Sequence, residues 1–335
     1  MASTPVALGP ETAMAFGQAL LDNLGRVVCG THGALTAAVV AALAGGHLLL
    51  EDVPGVGKTV LAQALARSLG AELSRIQGHP DLLPSDVTGV SVYSPSRESW
   101  ELRPGPVFAH VVLADEVNRT PPRTQAALLE SMEEQQVTVD GTSWPLPQPH
   151  MVVATQNPVS QRGTFPLVES QLDRFALATS LGYPDRDAEV RLLLREGGRA
   201  ALAGLAAVGD VAGWQEAQEA TSEVAVAPAL ADYAVELCRT TRQAAGVRLG
   251  ASPRASIALV RSAHMHKVPI RDGTCGVLRK ATRWTYPRGG NCRAHSCRSL
   301  LMAGGIPAEN AKVSDYGRST PLTTVGEVSG RRVRH

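Results

Sequence analysis

The sequence predicts an α/β protein in which strands alternate with helices over residues 1–185 and helices alone follow. Three observations predict it. The short apolar runs HLLLEDV (47–53), FAHVVLADEV (108–117) and HMVVATQNP (150–158) read as strands buried on both faces, since no polar alternation interrupts them. The first run passes through a glycine-containing turn into VLAQALARSL, where Val60, Leu61, Ala64, Leu65 and Leu69 form one stripe at helical spacing. Beyond residue 185 only helix signals remain.

The turn after the first strand is a phosphate-loop candidate made of Pro54, Gly55, Val56, Gly57, Lys58, Thr59 and Val60. A strand before it and a helix after it give the short pattern its weight. Glycines there let backbone N–H groups converge at a helix N-terminus, where the dipole favours an anion. In that geometry Lys58 reaches the β/γ-phosphates of a nucleotide and the Thr59 hydroxyl binds Mg²⁺. The pattern G-x-x-x-x-G-K-[ST] departs at one place, because Asp52 stands where its first glycine belongs.

The second strand ends in Asp115-Glu116. Two adjacent carboxylates at a strand end beside a phosphate loop suit nucleotide hydrolysis: Asp115 for the metal, Glu116 to polarise the attacking water. Asn157 follows the third strand, at the carboxyl edge where open α/β sheets bind ligands, and is a candidate to orient that water.

In this order and spacing, LLLEDVPGVGKT, VVLADEVNRTPPRTQAALLESMEE, VVATQNP, FPLVESQLDRF, LGYPDRDAEVRLLL and VRLGASPRASIAL resemble the AAA+ ATPases, and within them the MoxR family, over about residues 15–263. Members of that family often carry EDVPG at the loop, as this chain does at Glu51–Gly55. The resemblance implies an AAA+ P-loop NTPase core with a five-stranded parallel sheet over 1–185, then a small C-terminal helical lid over 186–263. It also implies that Arg174, in QLDRF, is a finger supplied to a neighbouring subunit, and that Arg254, in GASPR, is a sensor acting in cis on the γ-phosphate. Arg119, Arg123 and Arg162 lie in segments that also suit the neighbouring subunit's side.

Within the lid, Pro184-Asp185 starts a helix that Gly197-Gly198 ends, and VAGWQEAQEA and ALADYAVELCRTTRQ read as two more. PRASIALVRSA is a fourth, with Ser252 as N-cap and Pro253 in the first position. TGVSVYSPSRESWELRPGPVFA and VTVDGTSWPLP read as hairpins, the second turning at Asp140-Gly141. In the family such hairpins project from the ATPase face toward substrate or pore. His79, His110 and His150 read as isolated surface or satisfied core histidines, and Cys29 and Cys238 as small core residues.

Composition excludes other classes. No run of 18 apolar residues supports a membrane span, and no basic segment precedes Arg26, so neither a spanning helix nor a secretory signal is expected. Five cysteines in 335 residues make no disulfide framework and suit a reducing cytoplasm. The net charge of +1 divides unevenly: residues 264–335 hold 13 Lys/Arg against 4 Asp/Glu, a net of +9, and the remainder holds 19 against 27, a net of −8. That tail also departs from the family, whose lid closes with a Tyr-Val-Thr-Pro turn and a final helix. Three readings of it stand: a zinc site of Cys275, Cys292, His295 and Cys297; a basic nucleic-acid arm with Trp284 and Tyr286; and a change of reading frame near residue 264, which we prefer and which leaves the tail without a packed core.

The function expected is an ATPase that uses ATP and Mg²⁺ in a homo-oligomeric ring, a hexamer by resemblance, to remodel or mature a client protein complex. The family resemblance adds metal-cofactor insertion and a partner with a von Willebrand factor A domain. A nucleic-acid-directed motor is the alternative, disfavoured by the acidic charge outside the tail. A nucleotide-binding subunit with an impaired lid is another.

Overall fold

A computed structural model describes residues 10–28, 32–157, 163–194, 196–244 and 249–264. Two helices come first, α1 (Pro10–Val27) and α2 (His32–Leu43). Strand β1 (Leu48–Glu51), helix α3 (Lys58–Ser68) and strand β2 (Leu73–Gln77) follow, then α4 (Pro84–Thr88) and the hairpin of β3 (Gly89–Ser94) and β4 (Ser99–Pro104). Next are β5 (Val111–Asp115), a single 3₁₀ turn at Val117–Arg119, α5 (Pro122–Glu134), the hairpin of β6 (Gln136–Val139) and β7 (Thr142–Pro145), and β8 (Met151–Gln156). The short α6 (Glu169–Leu172) and β9 (Leu177–Thr179) complete the α/β part. Helices α7 (Arg186–Leu193), α8 (Gly198–Leu202), α9 (Val211–Ser222), α10 (Pro228–Gln243) and α11 (Pro253–His264) close the described chain.

Five strands form one parallel sheet in the order β2-β5-β8-β1-β9. The apolar runs have no polar alternation because both faces are covered. Leu48, Leu50, Val111, Leu113, Met151, Val153 and Leu177 face a core shared with α1, α2 and α3. Leu49, Val112, Ala114, Val152, Ala154 and Ala178 face a second core with α5 and the β6–β7 hairpin. Helix α2 lies inside the first core and is apolar all round, with Ala34 to Leu43 buried without a break.

The first core continues without interruption into the helical region. Trp214 on α9 is fully buried, and its indole N–H donates to the Ala42 carbonyl at 3.0 Å; Gln218 Nε2 donates to the same carbonyl at 2.6 Å. Cys238 is buried in that cluster as a free thiol. Helix α7 starts as expected, with Asp185 accepting the Ala188 N–H at 2.8 Å, but it stops at Leu193, ahead of the glycines assigned to its end. It buries no residue, so no packing extends it, and Gly198 begins α8 instead. The Asp140-Gly141 turn of the second hairpin has φ of 49° and 78°, the left-handed pair of a tight hairpin turn. Cys29, Arg162 and the tail beyond His264, with its three readings, lie outside the described residues.

The N-terminal edge of the sheet holds histidines that sequence spacing left apart. His47, His110 and His150 each precede a strand, and the rings of His47 and His150 stand edge to face with centroids 6.2 Å apart. His47 Nε2 lies 2.9 Å from the Met132 carbonyl and its Nδ1 accepts the Val152 N–H at 3.0 Å, which fixes one neutral tautomer. His150 Nδ1 lies 3.0 Å from the Ala109 carbonyl. Burial pushes both imidazoles down from 6.5 to about 4, against their backbone hydrogen bonds, which act upward. The unfolded chain therefore binds protons that the fold refuses. Folding stability is expected to be at its full value above pH 6.5 and to fall as pH drops from 6.5 toward 4. Denaturant midpoints across that range measure the decline, and His150→Asn, which retains a donor for Ala109, should flatten it; equal slopes in the two proteins would remove His150 from the account.

Candidate nucleotide site

The carboxyl ends of β1, β5 and β8 bring the predicted loop, the two carboxylates and Asn157 to one edge of the sheet. Gly55 and Gly57 have φ of 87° and 97°, conformations that side chains rarely adopt, and Gly57 caps the N-terminus of α3. Val56 turns inward into the first core and fastens the loop from below. Pro54 is exposed, while Lys58, Thr59 and Val60 are half-buried at the first turn of α3.

Lys58 donates from Nζ to the carbonyls of Asp52 at 2.7 Å and Val53 at 2.9 Å. Burial pushes its ammonium down from the ordinary lysine value, opposed by the negative charges of Asp52, Asp115 and Glu116. Thr59 Oγ1 lies 3.5 Å from Asp115 Oδ2. That hydroxyl and carboxylate are the hard oxygen donors a small divalent cation takes, so the pair fits Mg²⁺.

Three further residues shape the site; the sequence reading named Asp52 only as a departure from the loop pattern and did not name Thr155 or Arg75. Thr155, fully buried on β8, donates to Asp115 Oδ1 at 2.7 Å and accepts the Glu116 N–H at 2.9 Å, so one hydroxyl orients both acidic residues. Arg75, on β2, pairs with Asp115 Oδ2 at 2.6 Å. Asp52 is buried, its carboxylate accepting the N–H groups of Val53 at 3.0 Å and Gly182 at 2.8 Å. The signal available in sequence for Asp52 was its departure from glycine; Thr155 and Arg75 sit in unremarkable strand positions.

Glu116 adopts φ 55°, ψ 46°, which swings its side chain away from the strand direction of Asp115. Its Oε2 pairs with Arg119 Nη1 at 2.9 Å, so Arg119 serves a carboxylate of its own chain. Asn157 is half-buried one residue past β8, and its carbonyl accepts from Asn118 Nδ2 at 3.1 Å. Arg123 is exposed in the first turn of α5.

Arg174 and Arg254 meet elsewhere. Ser252 caps α11 by accepting the Ala255 N–H at 3.1 Å, and its hydroxyl lies 2.8 Å from both Asp173 oxygens, which sets the start of α11 beside Arg174. Both arginines pair with Glu133 near the end of α5, Arg174 at 3.0 Å. They line one cavity of about 370 Å³ with Gly46, His47 and Arg261. His47 precedes β1 and the phosphate loop follows it, so the arginines and Lys58 lie at opposite edges of the sheet, separated by a strand about 13 Å long. The Arg254 head group is thus paired at the far edge from its own loop.

The family model of the ATPase family associated with various cellular activities (AAA) matches residues 47–177. The chain is 46% identical over 246 residues to the uncharacterized protein YeaC of Bacillus subtilis, covering 73% of this chain and 77% of that one. It is 39% identical over 248 residues to Chaperone MoxR1 of Mycobacterium tuberculosis, covering 71% of this chain and 65% of MoxR1. Protein MoxR of Paracoccus denitrificans is 31% identical over 271 residues, 72% of this chain and 77% of that protein. A crystal structure from Cytophaga hutchinsonii, of a protein assigned as an ATPase, superposes with a TM-score of 0.73 at 32% identity, over 88% of this chain and 94% of that one.

Thr155→Val preserves shape but leaves the buried Glu116 N–H and one Asp115 oxygen without their shared hydroxyl. It is expected to cost about 1–3 kcal/mol of folding free energy, read by chemical denaturation. A variant as stable as the parent would show that water replaces the hydroxyl.

Proposed function

We propose, since the chain belongs to the MoxR family of AAA+ ATPases, that it hydrolyses ATP at sites completed between neighbouring copies in a ring and spends that turnover on a client protein. One observation carries this reading. Lys58, Thr59, Asp115 and Glu116 occupy one edge of the sheet, and Arg174 and Arg254 occupy the other, an arrangement that supports a site in which one copy presents its arginine edge to the next copy's loop.

In this reading Lys58 leaves the Asp52 and Val53 carbonyls for the β/γ-phosphates, and the N–H groups at the start of α3 cradle them. Thr59 and Asp115 hold Mg²⁺, which supplies neutralisation of phosphate charge when bound. Glu116 polarises the attacking water and Asn157 orients it. Arg174 and Arg254 of the neighbouring copy exchange Glu133 for the γ-phosphate. Residues 1–185 act as the ATPase core and 186–263 as the lid. The ring is a hexamer, its clients are reached through a von Willebrand factor A domain partner, and its place of work is the cytoplasm. The work is protein remodelling or maturation, with metal-cofactor insertion as the family-derived case. Among the described residues no helix is long and apolar enough to cross a membrane. The nucleic-acid alternative is set aside, because a net charge of −8 outside the tail opposes a phosphate backbone.

Lys58→Ala is expected to abolish ATP binding in equilibrium titration, and unchanged affinity would sink the phosphate-loop assignment. Mixed rings test the division of the site. Glu116→Gln, Arg174→Ala and Arg254→Ala should each be inactive alone, the arginine variants by a factor on the order of 10³. Glu116→Gln mixed with either arginine variant should recover activity, because some interfaces are then intact. Arg174→Ala mixed with Arg254→Ala should stay inactive, since every interface lacks one arginine. Recovery in that last mixture would return Arg254 to its own chain's site. The Glu116→Gln ring, holding ATP, is also the bait for identifying the client by co-precipitation.

A further inference from the structure

Asp52 occupies the place where phosphate loops of this pattern carry glycine, and its contacts span the fold. Its own N–H donates to the Gln156 carbonyl at 3.2 Å, joining the end of β1 to the end of β8. Its carbonyl is one of the two acceptors of Lys58. Its carboxylate divides between two N–H groups: Oδ1 takes Val53, the next residue of the loop, and Oδ2 takes Gly182, 130 residues further on.

Gly182 sits in the connection between β9 and α7, one residue past the fully buried Leu181 and three before Asp185, the cap of α7. Its φ of 70° lies in the left-handed region, so the chain turns at the point where the Gly182 N–H meets the Asp52 carboxylate. The carboxylate is 8% exposed as a residue, and hydrogen bonds accepted by an ionised group are roughly twice as strong as neutral ones. Glycine at position 52 would supply neither bond. Lys58 and Gly182 are thus held by the same two-residue segment, Asp52-Val53, one through its carbonyls and the other through its side chain.

We propose that Asp52 is a positioning residue whose carboxylate ties the start of the phosphate loop to Gly182 at the head of the helical region, coupling the filling of the loop to the setting of the β9–α7 connection. The coupling rests on the reading of Lys58 as a phosphate ligand. When Lys58 turns to phosphates, the Asp52 and Val53 carbonyls lose their cation, the Asp52-Val53 peptide shifts, and Gly182 follows through the carboxylate.

The test uses the full chain and compares the parent with Asp52→Gly, which installs the glycine of the general pattern, and Asp52→Asn, which keeps one acceptor and the side-chain shape. Hydrogen exchange is followed in the peptide spanning residues 181–185, with and without ADP, alongside ATP turnover. Asp52→Gly is expected to speed exchange of the Gly182 amide by about tenfold to a hundredfold, the value of a hydrogen bond to a charged acceptor. ADP should slow exchange there in the parent and not in Asp52→Gly. The KM for ATP should rise about tenfold, with kcat changed less, and Asp52→Asn should fall between.

If Asp52 were only a tolerated departure from the pattern, Asp52→Gly would bind ATP as well as the parent and leave the 181–185 peptide unchanged; that result overturns the proposal. Faster exchange with ADP protection intact in Asp52→Gly overturns the coupling as well. Should Asp52→Gly not fold, Asp52→Asn decides by the same two measurements. Lys58→Ala separates the two readings: exchange at Gly182 without nucleotide reports the tie whether or not the loop binds phosphate, and failure of the parent to bind ADP overturns the phosphate-loop reading and, with it, the coupling.

Discussion

Burial of a parallel sheet on both faces is the constraint from which the rest follows. When the two sides of every central strand are apolar, polar chemistry has only the strand ends to occupy. All five strands run the same way, so those ends sort into two edges of different kinds. The carboxyl edge collects Asp52, Asp115, Glu116 and Asn157, and the amino edge collects His47, His110, His150, Arg174 and, through α11, Arg254. The proposed division of the site between neighbouring copies rests on this sorting.

Neighbours already balance the charges at each edge. Lys58 is taken by two carbonyls, Asp115 by Arg75 and Thr155, Glu116 by Arg119, and the two arginines by one shared carboxylate. A polyphosphate arriving here exchanges partners rather than meeting bare charges. Exchange keeps the cost of burying each charged group low at every stage, because none is left alone in a weakly solvated place. It also makes the geometry of one pair depend on another, since Asp115 Oδ2 is approached by both Arg75 and Thr59.

Much of this was legible in the sequence, and what escaped it has a common cause. Local patterns named the loop, the three central strands β1, β5 and β8, both hairpins and the starts of α7 and α11 at Asp185 and Ser252, because each depends on residues a few positions apart; the edge strands β2 and β9 carry no such pattern. Thr155, Arg75, Glu133 and the carboxylate of Asp52 escaped, because their partners lie 40 to 130 residues away and only the strand order brings them together. His47 and His150 likewise meet because β1 and β8 are neighbours, which spacing along the chain does not reveal. Arg254 was found by pattern, but its pairing with Glu133 was not, since a motif names a residue without saying at which edge of the sheet its helix begins. The end of α7 was misread because glycine marks a stop only where a helix reaches it, and an unpacked helix stops sooner.

The indole of Trp214 fastens the helical region to the rest of the fold. Its ring is sealed between α9 and α2, and both it and Gln218 grip the same carbonyl of α2. Lifting α9 off the core would return about 150–250 Å² of aromatic surface to water, about 4–6 kcal/mol before any hydrogen bond is counted. Helices α10 and α11 share that core through Ala234, Leu237, Cys238, Ala255 and Leu259, so α9, α10 and α11 are held to the rest of the fold together, while α7, which buries no residue, is not fastened in this way.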